Sequence, residues 1–251
     1  MAKLFLNTWV FLDQIKAGRQ QAELVPLVAH LGASGIEIRR EYLQDRQAEL
    51  PKIREATNKY QLALAMSIPD ELFVDGQLNP ELPTYIAELK LVGASKAKFN
   101  LGDFSHFKGD LVAAFANWPD DIALNIENDQ TATSGQAEPI ANFLRAAQKE
   151  DLKIGYVYDL GNWAYTKGDA VASAKLLAPW TDYIHLKNVA ETPAGLAVTT
   201  DLNQGLFDWR QIYRILGHDK DVALEFPMPN QEVMAQQVAV LTAEGKDQSH
   251  A

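Results

Sequence analysis

Residues 122–159 read IALNIENDQTATSGQAEPIANFLRAAQKEDLKIGYVYD and contain the repeating unit of the chain. Two short apolar runs, Ile122–Glu127 and Ile154–Asp159, flank a stretch whose apolar residues have helical spacing. A strand, a helix and a second strand in this order are typical of a parallel β-sheet with helices packed on its face. The stretch therefore predicts one βαβ unit.

The same unit repeats along the whole chain. Dividing 251 residues by eight gives about 31 residues per unit, the size of a minimal strand–helix repeat. Eight such units predict an α/β fold, a single (β/α)8 TIM barrel. The eight short apolar or alternating runs are Leu4–Thr8, Gly35–Arg39, Leu62–Ser67, Ala97–Leu101, Ile122–Glu127, Ile154–Asp159, Tyr183–Lys187 and Val222–Phe226.

An open, doubly wound parallel sheet is the alternative architecture. Such a sheet usually has a glycine-rich turn after its first strand, whereas residues 7–13 here read NTWVFLD, without glycine. We also find no composition shift that would mark a linker. The sequence thus predicts one domain over residues 1–251, with a flexible tail at about residues 244–251.

Composition and charge exclude several classes of function. The 33 acidic residues outnumber the 23 lysines and arginines, and the net charge of −10 argues against nucleic acid or an anionic membrane as the main partner. The absence of cysteine removes disulfides, thiolate zinc sites and cysteine nucleophiles. No apolar run approaches the roughly 18 residues of a membrane span, and the first residues lack a signal-peptide pattern. We expect a cytoplasmic protein, and a homo-oligomer stays open.

The carboxyl ends of the last four predicted strands carry potential metal ligands, and a (β/α)8 barrel has its active site at that end. Taken alone, such a residue at a strand end is more often a helix cap or a core residue. The four residues here lie about one strand–helix unit apart in the sequence, so they lie at equivalent heights on successive strands of the barrel. Three carboxylates and an imidazole that face one point repel each other unless a cation is bound. The oxygen-rich set favours Mn²⁺ or Mg²⁺, and Co²⁺ or Zn²⁺ is also compatible. The predicted ligands are Glu127, Asp159, His185 and Glu225.

The motifs at the strand ends resemble those of the xylose isomerase-like TIM-barrel family, from about the second strand to the eighth. These motifs are GIEIR, KFNLG, NIEND, YDLGN, IHLKN, NQGLFDW and ALEFP. The resemblance implies the same four metal ligands and a divalent-metal-dependent sugar or sugar-phosphate isomerase or epimerase. It also implies that Glu127 and Glu225 are the acid–base pair. One removes a proton from the carbon next to a carbonyl, which gives an enediolate, and the other returns a proton.

Six further residues are candidates for contact with a sugar or keto-sugar substrate. Relatives carry Asn or His at the fourth position of the DLGN motif, although an asparagine there can instead cap a helix. Most of the others lie at strand ends, at positions whose alternation points the side chain into the barrel. Trp163 belongs instead to a predicted apolar wall that it forms with Trp9 and Phe11. We also expect Arg39 to form an ion pair with Glu37 on the second strand. The six candidates are Asn162, Lys187, Arg39, Asn7, Lys98 and Trp163.

Two departures from the family pattern leave the activity open. Ser67 stands where many relatives have a histidine, and Asp129 replaces the histidine of an Glu-Asn-His motif. An inosose-type dehydratase and a non-catalytic sugar-binding barrel are therefore alternatives. Zinc nucleases of this superfamily need more histidines than the five present here. The loop at residues 188–209, predicted as an irregular lid, has no basic residue, which favours a substrate without phosphate.

Overall fold

Eight parallel strands form a closed barrel in the computed structural model, which describes residues 2–247. The alternating and apolar runs of the sequence form its wall, as predicted. Numbered in chain order, the strands of the described chain are β1 (Leu4–Asn7), β2 (Gly35–Arg39), β3 (Ala63–Val74), β4 (Gln77–Leu78), β5 (Lys96–Gly102), β6 (Ala123–Glu127), β7 (Ile154–Asp159), β8 (Thr181–Leu186), β9 (Val189–Thr192), β10 (Gly195–Val198) and β11 (Asp221–Leu224).

The barrel closes because each wall strand pairs in parallel with two neighbours. The order around the wall is β1, β2, β3, β5, β6, β7, β8 and β11, and β11 pairs with β1 again. All carboxyl ends of these strands therefore meet at one mouth. The fold is a single (β/α)8 TIM barrel, and the predicted fold class is confirmed.

Helices cover the outside of the barrel. Several begin at an aspartate whose side chain accepts backbone N–H groups of the first turn, as Asp45, Asp169 and Asp208 do. None of the helices in residues 2–247 is long and apolar enough to cross a lipid bilayer. The α-helices are α1 (Leu12–Lys16), α2 (Val25–His30), α3 (Arg46–Tyr60), α4 (Leu82–Val92), α5 (Leu111–Phe115), α6 (Ala137–Lys149), α7 (Asn162–Tyr165), α8 (Ala170–Leu177), α9 (Trp209–Leu216) and α10 (Gln231–Asp247).

Two apolar layers support the mouth. Outward residues of the strands, such as Ile36 and Ile126, are fully buried against the helices. Inside the barrel a small cluster, which includes Phe5, Val157 and Tyr183, fills the bore. Because apolar side chains occupy this part of the bore, the inward polar side chains at the strand ends collect above them.

Three predicted boundaries are corrected. β3 continues past Ser67 to Val74, because its pairing with β5 shifts register around Pro69 and then resumes. The segment predicted as an irregular lid contains an antiparallel hairpin, β9 with β10. α10 includes residues 244–247 of the predicted tail, and residues 248–251 lie outside the described residues.

Candidate metal centre

The four predicted ligands meet at the mouth of the barrel. Glu127 and Asp159 are the last residues of β6 and β7, His185 lies near the end of β8, and Glu225 directly follows β11. Each contributes one ligand atom, and these four atoms all lie within 4.8 Å of one another. All four side chains are buried. The four residues therefore meet at one point, as the strand-end positions predict, and the cluster could hold a metal ion.

Two buried atoms of the cluster lack a hydrogen bond. His185 Nδ1 lies 2.6 Å from Glu127 Oε1 and 3.2 Å from Glu225 Oε2. Within residues 2–247, neither His185 Nδ1 nor Glu127 Oε1 has a hydrogen-bonding partner. Buried polar atoms without partners are rare and costly in native proteins. A cation between them would accept a lone pair from each, so the residues fit a divalent metal ion.

Each carboxylate of the cluster also has a close cationic partner. The partners come from neighbouring parts of the wall, and all of these ion pairs are largely removed from water. The three pairs are Lys98 Nζ with Glu127 Oε2, Lys187 Nζ with Asp159 Oδ2 (2.5 Å) and Arg39 Nη1 with Glu225 Oε1 (2.8 Å).

The balance of charge at the mouth also fits a divalent cation. Glu37 contacts His185, and Glu41 contacts Arg39, so five carboxylates belong to the connected network. Three cationic side chains oppose them. With a neutral imidazole at His185, two negative charges remain, and one divalent ion balances them.

The pKa values of the cluster diverge because burial and neighbouring charges compete. Burial raises the pKa of Glu127, but the positive charges of Lys98 and His185 outweigh it and lower this pKa to about 2. Burial raises the pKa of Asp159 to about 7, against the opposing effect of Lys187. For His185, burial lowers the pKa, but the surrounding carboxylates raise it well above its usual value. A metal ion would therefore have to displace protons from the cluster.

The candidate substrate residues on the first two strands bind the cluster directly. Asn7 Nδ2 donates to Glu225 Oε1 at 3.1 Å, and Arg39 reaches the same oxygen. The guanidinium of Arg39 lies between the rings of Trp9 and Tyr42, 5.5 and 5.7 Å from their centroids. Arg39 is thus held at the mouth by two aromatic rings and the Glu225 carboxylate.

The ion pair expected between Glu37 and Arg39 is wrong. Arg39 lies at the rim of the mouth and pairs with Glu41 and Glu225. Glu37, two residues earlier and therefore deeper in the bore, contacts His185 Nε2 at 2.8 Å and accepts a hydrogen bond from Tyr183 at 2.6 Å. The sequence analysis missed this role, although the inward parity of Glu37 was a signal for it.

Asn162 holds the carboxylate of Asp159, a candidate metal ligand. Its backbone N–H donates to Asp159 Oδ1 at 3.0 Å, and its side chain donates to the carbonyl of Asn128 at 2.8 Å. Gln130 in turn donates to the side-chain oxygen of Asn162. Contact of Asn162 with a substrate stays a prediction, and so does that of Lys98 and Lys187, which form the ion pairs described above.

Two of the three aromatic residues of the predicted apolar wall lie in the hydrophobic core. Trp163 and Phe11 are each 1% exposed, and Trp163 packs against Tyr158. Contact of Trp163 with a substrate stays a prediction. Trp9 alone is partly exposed, and both Arg39 and Lys187 lie against its ring.

The fold of this chain is similar to that of several solved structures. AsbF from Bacillus anthracis, a probable 3-DHS dehydratase involved in petrobactin synthesis, is 15% identical and has a TM-score of 0.73 over 96% of this chain and 98% of its own. The IolI protein, solved with a zinc atom, is 16% identical, with a TM-score of 0.70 over 98% of both chains. An L-ribulose 3-epimerase is 16% identical, with a TM-score of 0.68 over 100% of this chain and 96% of its own.

The chain has the fold of the xylose isomerase-like TIM-barrel proteins. An AP endonuclease of family 2 from Brucella melitensis shares this fold too, so the likeness does not single out one activity. No protein-family model matches the chain, and the search of curated proteins gives no match either.

Proposed function

We propose that the protein is a divalent-metal-dependent isomerase or epimerase of a sugar or keto-sugar. The observation that carries the proposal is the meeting of three carboxylates and one imidazole within 4.8 Å, with an unpaired oxygen and an unpaired nitrogen facing each other. The ligands would be Glu127, Asp159, His185 and Glu225. Mn²⁺ or Mg²⁺ suits this oxygen-rich set best, and the zinc atom of IolI favours including Zn²⁺ among the ions tested.

The acid–base chemistry would come from the two glutamates. A metal ion supplies an electrophile that stabilises negative charge on the substrate oxygens during enolisation. Glu127 on β6 and Glu225 after β11 reach the centre from two separate parts of the wall, so one can take the proton from carbon and the other can return it. Their pKa values are lowered by the adjacent cations, so proton transfer would depend on close placement rather than on strong basicity.

The surrounding side chains would bind and orient the substrate. The ammonium groups of Lys98 and Lys187 stand beside the cluster and can donate hydrogen bonds to substrate oxygens. Arg39 and the ring of Trp9 form one side of the mouth. The charge balance and the absence of basic residues from the hairpin segment both support a substrate without phosphate.

The experiment is turnover of a panel of ketoses after chelation and again after addition of Mn²⁺. We expect interconversion only with the metal, and Glu127→Gln should abolish turnover while the protein stays folded. A barrel that only binds sugar would instead lose little beyond metal affinity in this variant. No turnover of any ketose by the Mn²⁺-loaded protein contradicts the proposal.

A lyase reaction is the second candidate. It is favoured by the lysine ammonium groups at the cluster, since an acid must protonate the hydroxyl that leaves, and by the likeness to a probable dehydratase. Inososes and keto acids in the same panel separate the two reactions. Dehydration releases water and forms a conjugated product with ultraviolet absorbance, whereas epimerisation gives an isomer of unchanged mass.

A further inference from the structure

Glu37 is the one buried carboxylate of the network that has no lysine or arginine partner among the described residues. Its contacts are with His185 Nε2 at 2.8 Å and the hydroxyl of Tyr183 at 2.6 Å, and both go to the same oxygen, Oε2. The side chains of Glu37 and His185 are 0% exposed. Its other oxygen, Oε1, is buried without a partner in residues 2–247.

The direction of these hydrogen bonds fixes the imidazole. The hydroxyl of Tyr183 donates its proton to Oε2 of Glu37. Oε2 is then an acceptor, and His185 Nε2 must carry the proton that it donates. Nδ1 is left as the nitrogen that faces Glu127 and Glu225.

We infer that Glu37 is a positioning residue: it holds His185 so that Nδ1 points at the metal position, and its negative charge strengthens that nitrogen as a ligand. This inference rests on the proposed metal site. A carboxylate behind a histidine ligand fixes the ring orientation and raises the basicity of the ligand nitrogen. Glu37 is also electrostatically stable only if its imidazole neighbour carries positive charge, from a proton or from a metal ion.

Two variants separate the charge of Glu37 from its shape. Glu37→Gln keeps the size and one hydrogen-bond acceptor but removes the charge. Tyr183→Phe leaves the charge and removes one donor from Oε2. After chelation, binding of Mn²⁺ alone is measured by titration calorimetry. We expect Glu37→Gln to bind about 10- to 100-fold more weakly than the wild type, and Tyr183→Phe to show a smaller loss.

A spectroscopic readout distinguishes positioning from simple packing. In Zn²⁺-loaded protein with ¹⁵N-labelled histidine, His185 should show a proton on Nε2 and metal coordination at Nδ1. In Glu37→Gln a second population with the ring reversed should appear. If Glu37→Gln does not fold, as judged by circular dichroism, the Mn²⁺ affinity of Tyr183→Phe and the histidine spectrum of the wild type still test the role of Glu37.

The outcomes distinguish this inference from the proposed function. The role of Glu37 alone is overturned if Glu37→Gln binds Mn²⁺ as tightly as the wild type does, or if the wild type coordinates the metal through Nε2. Where Glu37→Gln does not fold, an unchanged Mn²⁺ affinity in Tyr183→Phe overturns it. Failure of the wild type to bind any divalent ion overturns the metal site and this inference together.

Discussion

Lys98 on β5 and Glu127 on β6 form a buried ion pair at the edge of the metal cluster. Lys98 Nζ contacts Oε2 of Glu127, while Oε1 of the same carboxylate lies 2.6 Å from His185 Nδ1. The carboxylate is therefore divided between a permanent cation on one side and the candidate metal position on the other. This division explains how a group of buried carboxylates can be tolerated before any metal ion binds.

Replacement of Lys98 by methionine should make the folded protein dependent on metal. Glu127 would lose its main cationic partner while remaining buried, and an uncompensated buried charge typically costs about 3 to 5 kcal/mol. We expect the free energy of unfolding of the metal-free protein to fall by roughly this amount, and Mn²⁺ to restore much of it. Urea unfolding with chelator and with Mn²⁺ measures both values. Equal stability of variant and wild type in chelator contradicts the prediction.

The meeting of the four candidate ligands could be predicted from the sequence because two periodicities fix their positions. Alternation along a strand decides that a side chain points inward, and a repeat of about 31 residues places successive strand ends at one height. Neither argument needs a distant contact. The same reasoning explains why Asn7 and Lys98, also inward residues, were found at the mouth.

The partner of Glu37 could not be predicted in this way. Arg39 is its neighbour on the same face of β2, whereas His185 reaches it across the bore from β8, a contact that depends on the stagger of the whole barrel. The burial of Trp163 likewise depends on the direction of α7, which sequence spacing does not give. Local patterns thus predict which residues face the bore but not which of them meet.

The affinity for Mn²⁺ should fall steeply as the pH is lowered through 7. Burial raises the pKa of Asp159 to about 7, so below this pH a proton occupies a ligand that the metal needs. His185 also binds a proton with a raised pKa. Metal binding should therefore release more protons below pH 7 than above it. Calorimetry in two buffers of different ionisation enthalpy counts the protons, and a release that does not change across pH 7 contradicts the assignment.

Asn188 should control the order of the hairpin segment that follows β8. Its side chain donates to the carbonyls of Leu202 and Phe207 at 3.0 and 2.9 Å and accepts from the backbone N–H groups of Val189 and Phe207. Asn188→Ala would leave these backbone groups unpaired, at a cost of about 1 to 3 kcal/mol for each one that stays buried. We expect faster hydrogen exchange and proteolysis within residues 189–208.

The matched control for this segment is Asn188→Asp, which keeps two acceptor bonds and loses both donor bonds. Its second carboxylate oxygen faces the carbonyls of Leu202 and Phe207 instead of donating to them, so exchange should be at least as fast as in Asn188→Ala. Identical exchange in all three proteins contradicts the role of Asn188. Exchange in strands β3 and β5, on the other side of the barrel from β8, should be unaffected by either variant.

Arg39→Lys should impair turnover more than it impairs metal binding. The guanidinium contacts Glu41 through Nε and Glu225 through Nη1 at the same time and lies near two aromatic rings, and a lysine ammonium cannot reproduce this fork. The retained charge should keep the affinity for Mn²⁺ within a few-fold, but a displacement of Glu225 should lower kcat/KM by about 10- to 100-fold.

The control is Arg40→Lys, because Arg40 pairs with Glu88 and contacts none of the cluster residues in the described chain. Steady-state kinetics on the best ketose of the panel, with Mn²⁺ titrated in parallel, measures both effects. If the two variants lose the same fraction of kcat/KM, the side chain of Arg39 has no special role at the mouth.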